Sequence, residues 1–343
     1  MGCQQRRLPS PAHPRLNSHP ARWPVQKTQV SDPDVWQPGG VGAISADSLS
    51  HPKSPMLEHP DLYQAILARR SVRRYDDAHP DEATLARVGD VISHVQPLIC
   101  GNRYEVLLNP VTAASDLVVA LGAYGRFVNP PCYLLPYLRG ERFLLTDLGY
   151  RAEQIAVRLT TMGLGSCFIG CLGREDLVRA SFGLPEDARI GALLIFGWPS
   201  KALVGRTVNA VMRAGAGAIR KLPAERIFFR GSFASPSWPP AQLAPLVEAA
   251  RHAPSAVDAQ PWRLLWQGDS LHLFVRRRNA RYGAGANQQY NLYDGGLCMA
   301  NVALALESLG RKGRWLPYEG QEPDIPEHPA DLLPLARLVL GEM

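Results

Sequence analysis

At 343 residues, with 46% hydrophobic and 20% charged residues, the chain has the length and composition of a folded protein with one large or two smaller cores. Its net charge of +6 is modest and scattered, and no basic stripe with interleaved aromatics argues for a nucleic-acid partner. No run approaches the roughly 18 apolar residues of a membrane span, so no membrane partner is expected.

Residues 1–55 stand apart. They hold nine of the thirty prolines and show no apolar periodicity, so the composition predicts a disordered, Pro-rich tail. Met1-Gly2-Cys3 resembles a lipidation start, but Arg6 stands where a myristoylation pattern needs Ser or Thr. Met56 is an alternative start just before the first helical run.

From there helical and strand-like segments alternate. Leu62–Leu67 is a short apolar helix-like run, and Glu82–Val95 is helical by the spacing of Leu85, Val88, Val91, Ile92 and Val95. Tyr104–Leu108 reads as a strand, Leu117–Leu121 as helix and Cys132–Leu135 as a strand. A long amphipathic helix runs from about Asp147 to Met162 and stops at Gly163. Cys167–Ile169 and Leu193–Phe196 are strands, the latter closed by Gly197-Trp198-Pro199. Residues 201–225 form a connector. Beyond it come a helix to His252, strands at Trp262–Trp266 and Leu271–Val275, a helix over Asp294–Leu309 and a last strand at Leu335–Leu340.

The order after the connector repeats the order before it. Asp147 and Asp294 lie the same distance before the glycine stops Gly163 and Gly310, and Gln154, Ala156 and Leu159 fall on Asn301, Ala303 and Leu306. In the upstream register His94 falls on His252 and Tyr104 on Trp262. The expected organisation is therefore repeat A over 56–200, the connector over 201–225 and repeat B over 226–343.

The six cysteines (Cys3, Cys100, Cys132, Cys167, Cys171, Cys298) form no CxxC pair and no disulfide-like framework, so they read as reduced thiols in a cytoplasmic protein, with no metal site. The densest chemistry is Ala68-Arg69-Arg70-Ser71-Val72-Arg73-Arg74-Tyr75, four guanidinium groups and a hydroxyl in eight residues. Arginine's planar fork suits phosphate, although the cluster taken alone reads more readily as a solvated basic face. Downstream stands Ala253-Pro254-Ser255-Ala256-Val257-Asp258-Ala259-Gln260-Pro261-Trp262.

These two motifs together resemble the FMN-dependent nitroreductase family. The resemblance covers about 61–343 and is closest to a short, single-chain, internally duplicated branch. It implies an α+β, nitroreductase-like fold: mixed, mainly antiparallel sheets flanked by helices, two fused repeats forming an intrachain pseudo-dimer, and hence a monomer. It implies FMN as cofactor and NAD(P)H as electron donor. In ping-pong fashion, electrons pass through flavin N5 to a small-molecule acceptor such as a nitroaromatic or a quinone. A flavin dehydrogenase or oxidase on an unusual natural product, or a flavin-binding scaffold without turnover, remains open.

Residue by residue, the resemblance gives Arg69, Arg70, Ser71 and Arg73 to the phosphate and ribityl groups, and Pro254, Ser255, Ala256 and Asp258 to the opposite wall. Arg220 and Lys221 match a basic pair, or are a solvated linker. Ser166, Phe168, Ile169 and Gly170 match the segment beside the ring, with a backbone N–H near Gly170 facing N5. Gln260-Pro261-Trp262 reads as packing or contact. No side-chain acid or base is obligatory, so no catalytic residue is named. The family usually has Asn where Asp258 stands, which substitutes an acceptor for a donor. The mirror site has Gln96, Pro97 and Cys100 for Pro254, Ser255 and Asp258, and Pro317 for Gly170, which predicts one FMN per chain.

Overall fold

The computed structural model describes residues 61–110, 128, 130–201, 221–320 and 324–341. The expected tail, the helix at Leu117–Leu121, most of the connector and Arg220 lie outside the described residues.

The chain enters through α1 (Leu62–Ala68), capped by Asp61, whose carboxylate accepts from the Gln64 N–H. Next come α2 (Glu82–Ser93), β1 (Arg103–Pro110), β2 (Cys132–Arg139), α3 (Leu144–Thr161), β3 (Gly165–Gly170), α4 (Glu175–Phe182) and β4 (Ala192–Gly197). The second half runs β5 (Phe228–Arg230), α5 (Ala244–His252), β6 (Trp262–Gln267), β7 (Ser270–Arg276), α6 (Tyr290–Ser308), β8 (Gly313–Pro317) and β9 (Leu332–Leu340).

The first sheet has the order β1-β2-β4-β3 and is antiparallel throughout. The second has the order β5-β6-β7-β9-β8, antiparallel except for the parallel pair β5–β6. Without β5 the two sheets have the same strand order, each with one long helix between its second and third strands in chain order. The expected α+β architecture of mainly antiparallel sheets flanked by helices is present.

In β4, Ala192, Leu194 and Phe196 face α3, while Leu193 and Ile195 pack on the other side with Val178 of α4. Both faces are covered, which is why the strand reads as an unbroken apolar run.

The long helices α3 and α6 pack against each other at two glycines. A Cβ on Gly149 would stand 2.2 Å from the Tyr293 carbonyl oxygen and 3.2 Å from the Leu297 nitrogen. One on Gly296 would stand 2.0 Å from the Thr146 oxygen and 2.8 Å from the Tyr150 nitrogen. The contact is reciprocal: the shift that aligns Asp147 with Asp294 carries each partner of one glycine onto its counterpart for the other. Only a residue without a side chain lets the two backbones come this close.

Some elements differ from expectation. Both long helices begin about a turn early, at Leu144 and Tyr290, and β5, α4 and β8 were not expected.

Candidate functional site

After α1 the basic motif leaves the helix at Arg69, whose backbone is extended (φ −55°, ψ 128°). It then runs along the outer edge of β3, where Ser71 bridges Ser166 and the Val72 N–H donates to the Ser166 carbonyl at 2.9 Å. An extended chain alternates its side chains with period two. Arg69, Ser71 and Arg73 therefore face one way, into a cavity of about 540 Å³. Arg70 faces the other way, exposed, with its guanidinium on the Ala68 carbonyl. The expectation that Arg70 shares the site is corrected by this alternation.

The opposite wall is Pro254, Ser255, Ala256, Val257 and Asp258, and the floor includes Phe168, Ile169 and Gly170. Lys221 completes the basic end. Ser166, 1% exposed and paired with Ser71, does not line the cavity. Sequence reasoning did not identify Tyr282, Tyr290, Tyr293, Asp294, Leu172 or Arg174 as lining residues. Tyr290 and Tyr293 sit one turn of α6 apart, both ahead of the helix start expected at Asp294.

The 253–260 loop is held in a conformation that side chains rarely adopt. Val257, Asp258 and Gln260 have φ of 49°, 51° and 46°, and for a β-branched valine this is costly. The Ser255 hydroxyl accepts from the Gln260 N–H at 3.0 Å, and the Gln260 side chain accepts from the Leu222 N–H at 2.9 Å and donates to Asp258 at 3.1 Å.

At the basic end, Arg69 Nε lies 3.4 Å from Glu153 Oε1, both side chains being almost wholly buried. Neither Nε and Nη1 of Arg69 nor the two Glu153 oxygens make a hydrogen bond among the described residues. Burial pushes the Glu153 carboxyl up to about 7 against the pull of Arg69 and Lys221. Burial likewise brings the Lys221 ammonium down to about 8, although Asp258 stands 3.9 Å away. Asp258 itself is raised, by burial first, with Lys221 and Gln260 opposing.

At the aromatic end, both Asp294 oxygens accept from the Ala256 N–H at 3.0–3.1 Å, and Oδ2 accepts from the Tyr282 hydroxyl at 2.7 Å. Asp294 is 1% exposed, and burial pushes it up to about 8. Its counterpart Asp147 is bonded to Leu98 N at 2.9 Å in the equivalent loop, but it also holds Arg151 Nε at 2.9 Å and Asn102 at 3.0 Å. Where α3 has Arg151, α6 has Cys298, so Asp294 lacks the cation that neutralises Asp147.

The edge of β3 carries one more group. The Cys171 N–H donates to Gly191 O across β4, while Ser166 O points outward to Val72. Alternation along an antiparallel ladder then turns the Gly170 N–H to the free edge, on the cavity side. A Cβ at Gly170 would fall 2.1 Å from the Tyr290 hydroxyl oxygen, which itself accepts from the Leu172 N–H at 3.1 Å.

The family model described as "Putative TM nitroreductase" matches residues 61–285. The chain belongs to this family. Among solved structures, a "putative nitroreductase" from Thermotoga maritima is similar at 18% identity and a TM-score of 0.50, over 87% of this chain and 99% of that one. An FMN-dependent nitroreductase from Clostridium difficile R20291 is similar at 16% identity and a TM-score of 0.35, over 40% of this chain and 87% of that one. The "hypothetical oxidoreductase YcnD" from Bacillus subtilis follows at 18% identity and a TM-score of 0.36, over 41% of this chain and 67% of that one. No curated protein matches the chain. Membership makes this nitroreductase-family chain an oxidoreductase. Among the described residues no helix is long and apolar enough to cross a membrane, and no group of three His, Cys, Asp or Glu could hold a metal ion.

Proposed function

We propose that this chain is an FMN-dependent oxidoreductase that takes electrons from NAD(P)H and passes them to a small acceptor such as a nitroaromatic or a quinone. The observation that carries the reading is the cavity itself, cationic at one end and aromatic at the other. Its volume of about 540 Å³ falls within the range of ligand sites, roughly 300–1,000 Å³.

The donor set fits the cofactor. Arg69, Arg73, Lys221 and the Ser71 hydroxyl would hold the phosphate, and the unbonded Nε and Nη1 of buried Arg69 are donors awaiting an acceptor. Ser255 and Asp258 would meet the ribityl hydroxyls, while Phe168 and the tyrosines would enclose the ring. The outward Gly170 N–H would be the donor facing N5. FMN, when bound, supplies the two-electron redox chemistry. The protein's residues fix its position, keep water from its face and present Asp294, with Tyr282, as a proton-carrying pair on the same cavity wall. The Tyr293 hydroxyl, which is buried and makes no hydrogen bond among the described residues, is a further donor for whatever stacks there.

We further propose that the two halves arose by duplication, and that the chain works as a monomer whose fused halves replace the two subunits of a dimer. Equal strand order and the reciprocal glycine contact support this.

The test is anaerobic addition of NADPH or NADH to purified, flavin-loaded protein. Bleaching of the flavin band, and its return on adding a nitroaromatic or quinone, is the expected result. A flavin that stays oxidised under both coenzymes would overturn the proposed electron donor and leave a flavin-binding protein without this turnover.

A further inference from the structure

Behind the strained 257–260 loop lies a second concavity, of about 610 Å³. Asp258 lines both this basin and the first cavity, so the two share a wall. Four of the ten residues around the basin are arginines: Arg263, Arg276, Arg278 and Arg281.

Arg263, on β6, decides what this basin is. It is 7% exposed, and its Nη1 donates to the carbonyls of Gln260 at 3.2 Å and Trp262 at 2.5 Å. No carboxylate pairs with it among the described residues. Burial, then Arg276 and Arg226, bring its pKa down to about 10, and Asp331 alone opposes them. Asp331 already pairs with Arg276 at 3.4 Å. Arg281 donates to the Asp258 backbone carbonyl at 2.8 Å, and Arg278 forms no ion pair among the described residues. Among the described residues lining the basin the one carboxylate, Asp258, has Lys221 beside it. The two carbonyl bonds of Arg263 explain how the loop before β6 is closed. They do not explain three further guanidinium groups at the same basin. A buried cation without a counter-charge is costly, and positive charge gathered in a concavity raises the local concentration of anions.

We propose that this basin binds the phosphate groups of the nicotinamide coenzyme whose ring enters the neighbouring cavity. The proposal rests on the reading of that cavity as an NAD(P)H-reduced flavin site. A dinucleotide carries a flat ring and a diphosphate on one short tether. It therefore needs an aromatic compartment and a cationic one side by side, and two consecutive residues supply that here: Arg281 lines the basin and Tyr282 the aromatic end of the cavity. Arginine forks suit phosphate oxygens, and the exposed Arg276, Arg278 and Arg281 leave the far end of the ligand in solvent.

The test uses FMN-loaded protein, so that the basic end of the first cavity is already filled. Inorganic pyrophosphate, NAD+ and NADP+ are titrated by calorimetry into the native protein and into Arg278→Ala, Arg281→Ala and the double variant. Bound FMN per chain and the denaturation midpoint are measured alongside. The expected result is at least a tenfold weaker affinity for pyrophosphate and NADP+ in the double variant, with FMN content unchanged. Equal weakening of NAD+ and NADP+ assigns the diphosphate to the basin; weakening of NADP+ and pyrophosphate alone assigns the 2′-phosphate. Affinities that stay the same in a folded, FMN-loaded double variant overturn the basin. Failure of the native protein to take up FMN overturns the cavity reading instead.

Discussion

Arg69 and Arg70 are neighbours in sequence with opposite roles. Arg69 is buried in the cavity wall with donors free, and Arg70 sits on the solvent side. A hydrogen bond to a charged group is worth roughly 1.5–3 kcal/mol. Arg69→Ala should therefore weaken FMN binding by about ten- to a hundredfold, and Arg70→Ala should leave it unchanged in flavin titration. Equal effects would contradict the alternation. A second residue-scale prediction concerns pH. Burial raises Glu153 from 4.5 to about 7 in the folded chain, so between these values the native state binds more protons than the unfolded state. Stability contributed by neutral Glu153 is complete below pH 4.5 and falls as pH rises toward 7. Glu153→Gln should flatten that part of the stability–pH curve in urea unfolding of the apoprotein, and an unaltered slope would show that Glu153 does not titrate there. The motifs placed most of the cavity wall, because phosphate-suited residues and a Pro-Ser loop are legible as residue types. The side on which each arginine falls was not, because a basic cluster following a helix reads as a helix end, whereas the chain here is extended against β3. Glu153, the partner of Arg69, was missed because an acidic residue in an amphipathic helix reads as part of its polar face, and Asp294 because it read as a helix start.

The long helices show the limit of reading at the scale of elements. Asp147 and Asp294 resemble helix starts, since aspartate is a common N-cap. Here each lies inside its helix, and its carboxylate accepts the N–H of a packed loop, Leu98 in one half and Ala256 in the other. The glycine stops and the apolar periodicity placed the helix ends well. Strand β8 was missed because Gly313-Arg314-Trp315-Leu316-Pro317 carries breakers at both ends and shows little alternation. The helix crossing makes its own prediction. Gly149→Ala and Gly296→Ala each drive a Cβ into backbone, where nothing can swing aside. Each should cost about 3 kcal/mol or more, the upper end of overpacking. Gly89→Ala, with nothing within 4 Å of the added carbon, is the control and should be near neutral or stabilising. Equal denaturation midpoints for all three variants would show that the crossing is looser than described.

For the whole molecule, the two halves share strand order and a reciprocal crossing, and among the described residues the groups proposed to hold the flavin gather on one side of this arrangement. Arg69, Ser71 and Arg73 face Pro254–Asp258 across the cavity. At the mirror position Arg151 takes up the space beside Asp147, with its guanidinium 5.1 Å from the Tyr104 ring and Nη2 on the Ile99 carbonyl. Pro317 pairs with Ala336 as Gly170 pairs with Ala192, in the same outward phase of the ladder, but has no N–H to offer. The matching strand order of the two halves was legible because Asp, Gly and aromatic positions recur at equal spacing. The proposal of a single site came only from comparing the two halves position by position. The account's central claim is that one cavity, built jointly by both halves, holds the flavin. Its most direct test is the amount of FMN released by acid from protein reconstituted with excess FMN, per chain. Saturation near one is the predicted result. Saturation near two would mean that the mirror site is intact, and failure to retain any flavin would mean that the cavity was built for something else.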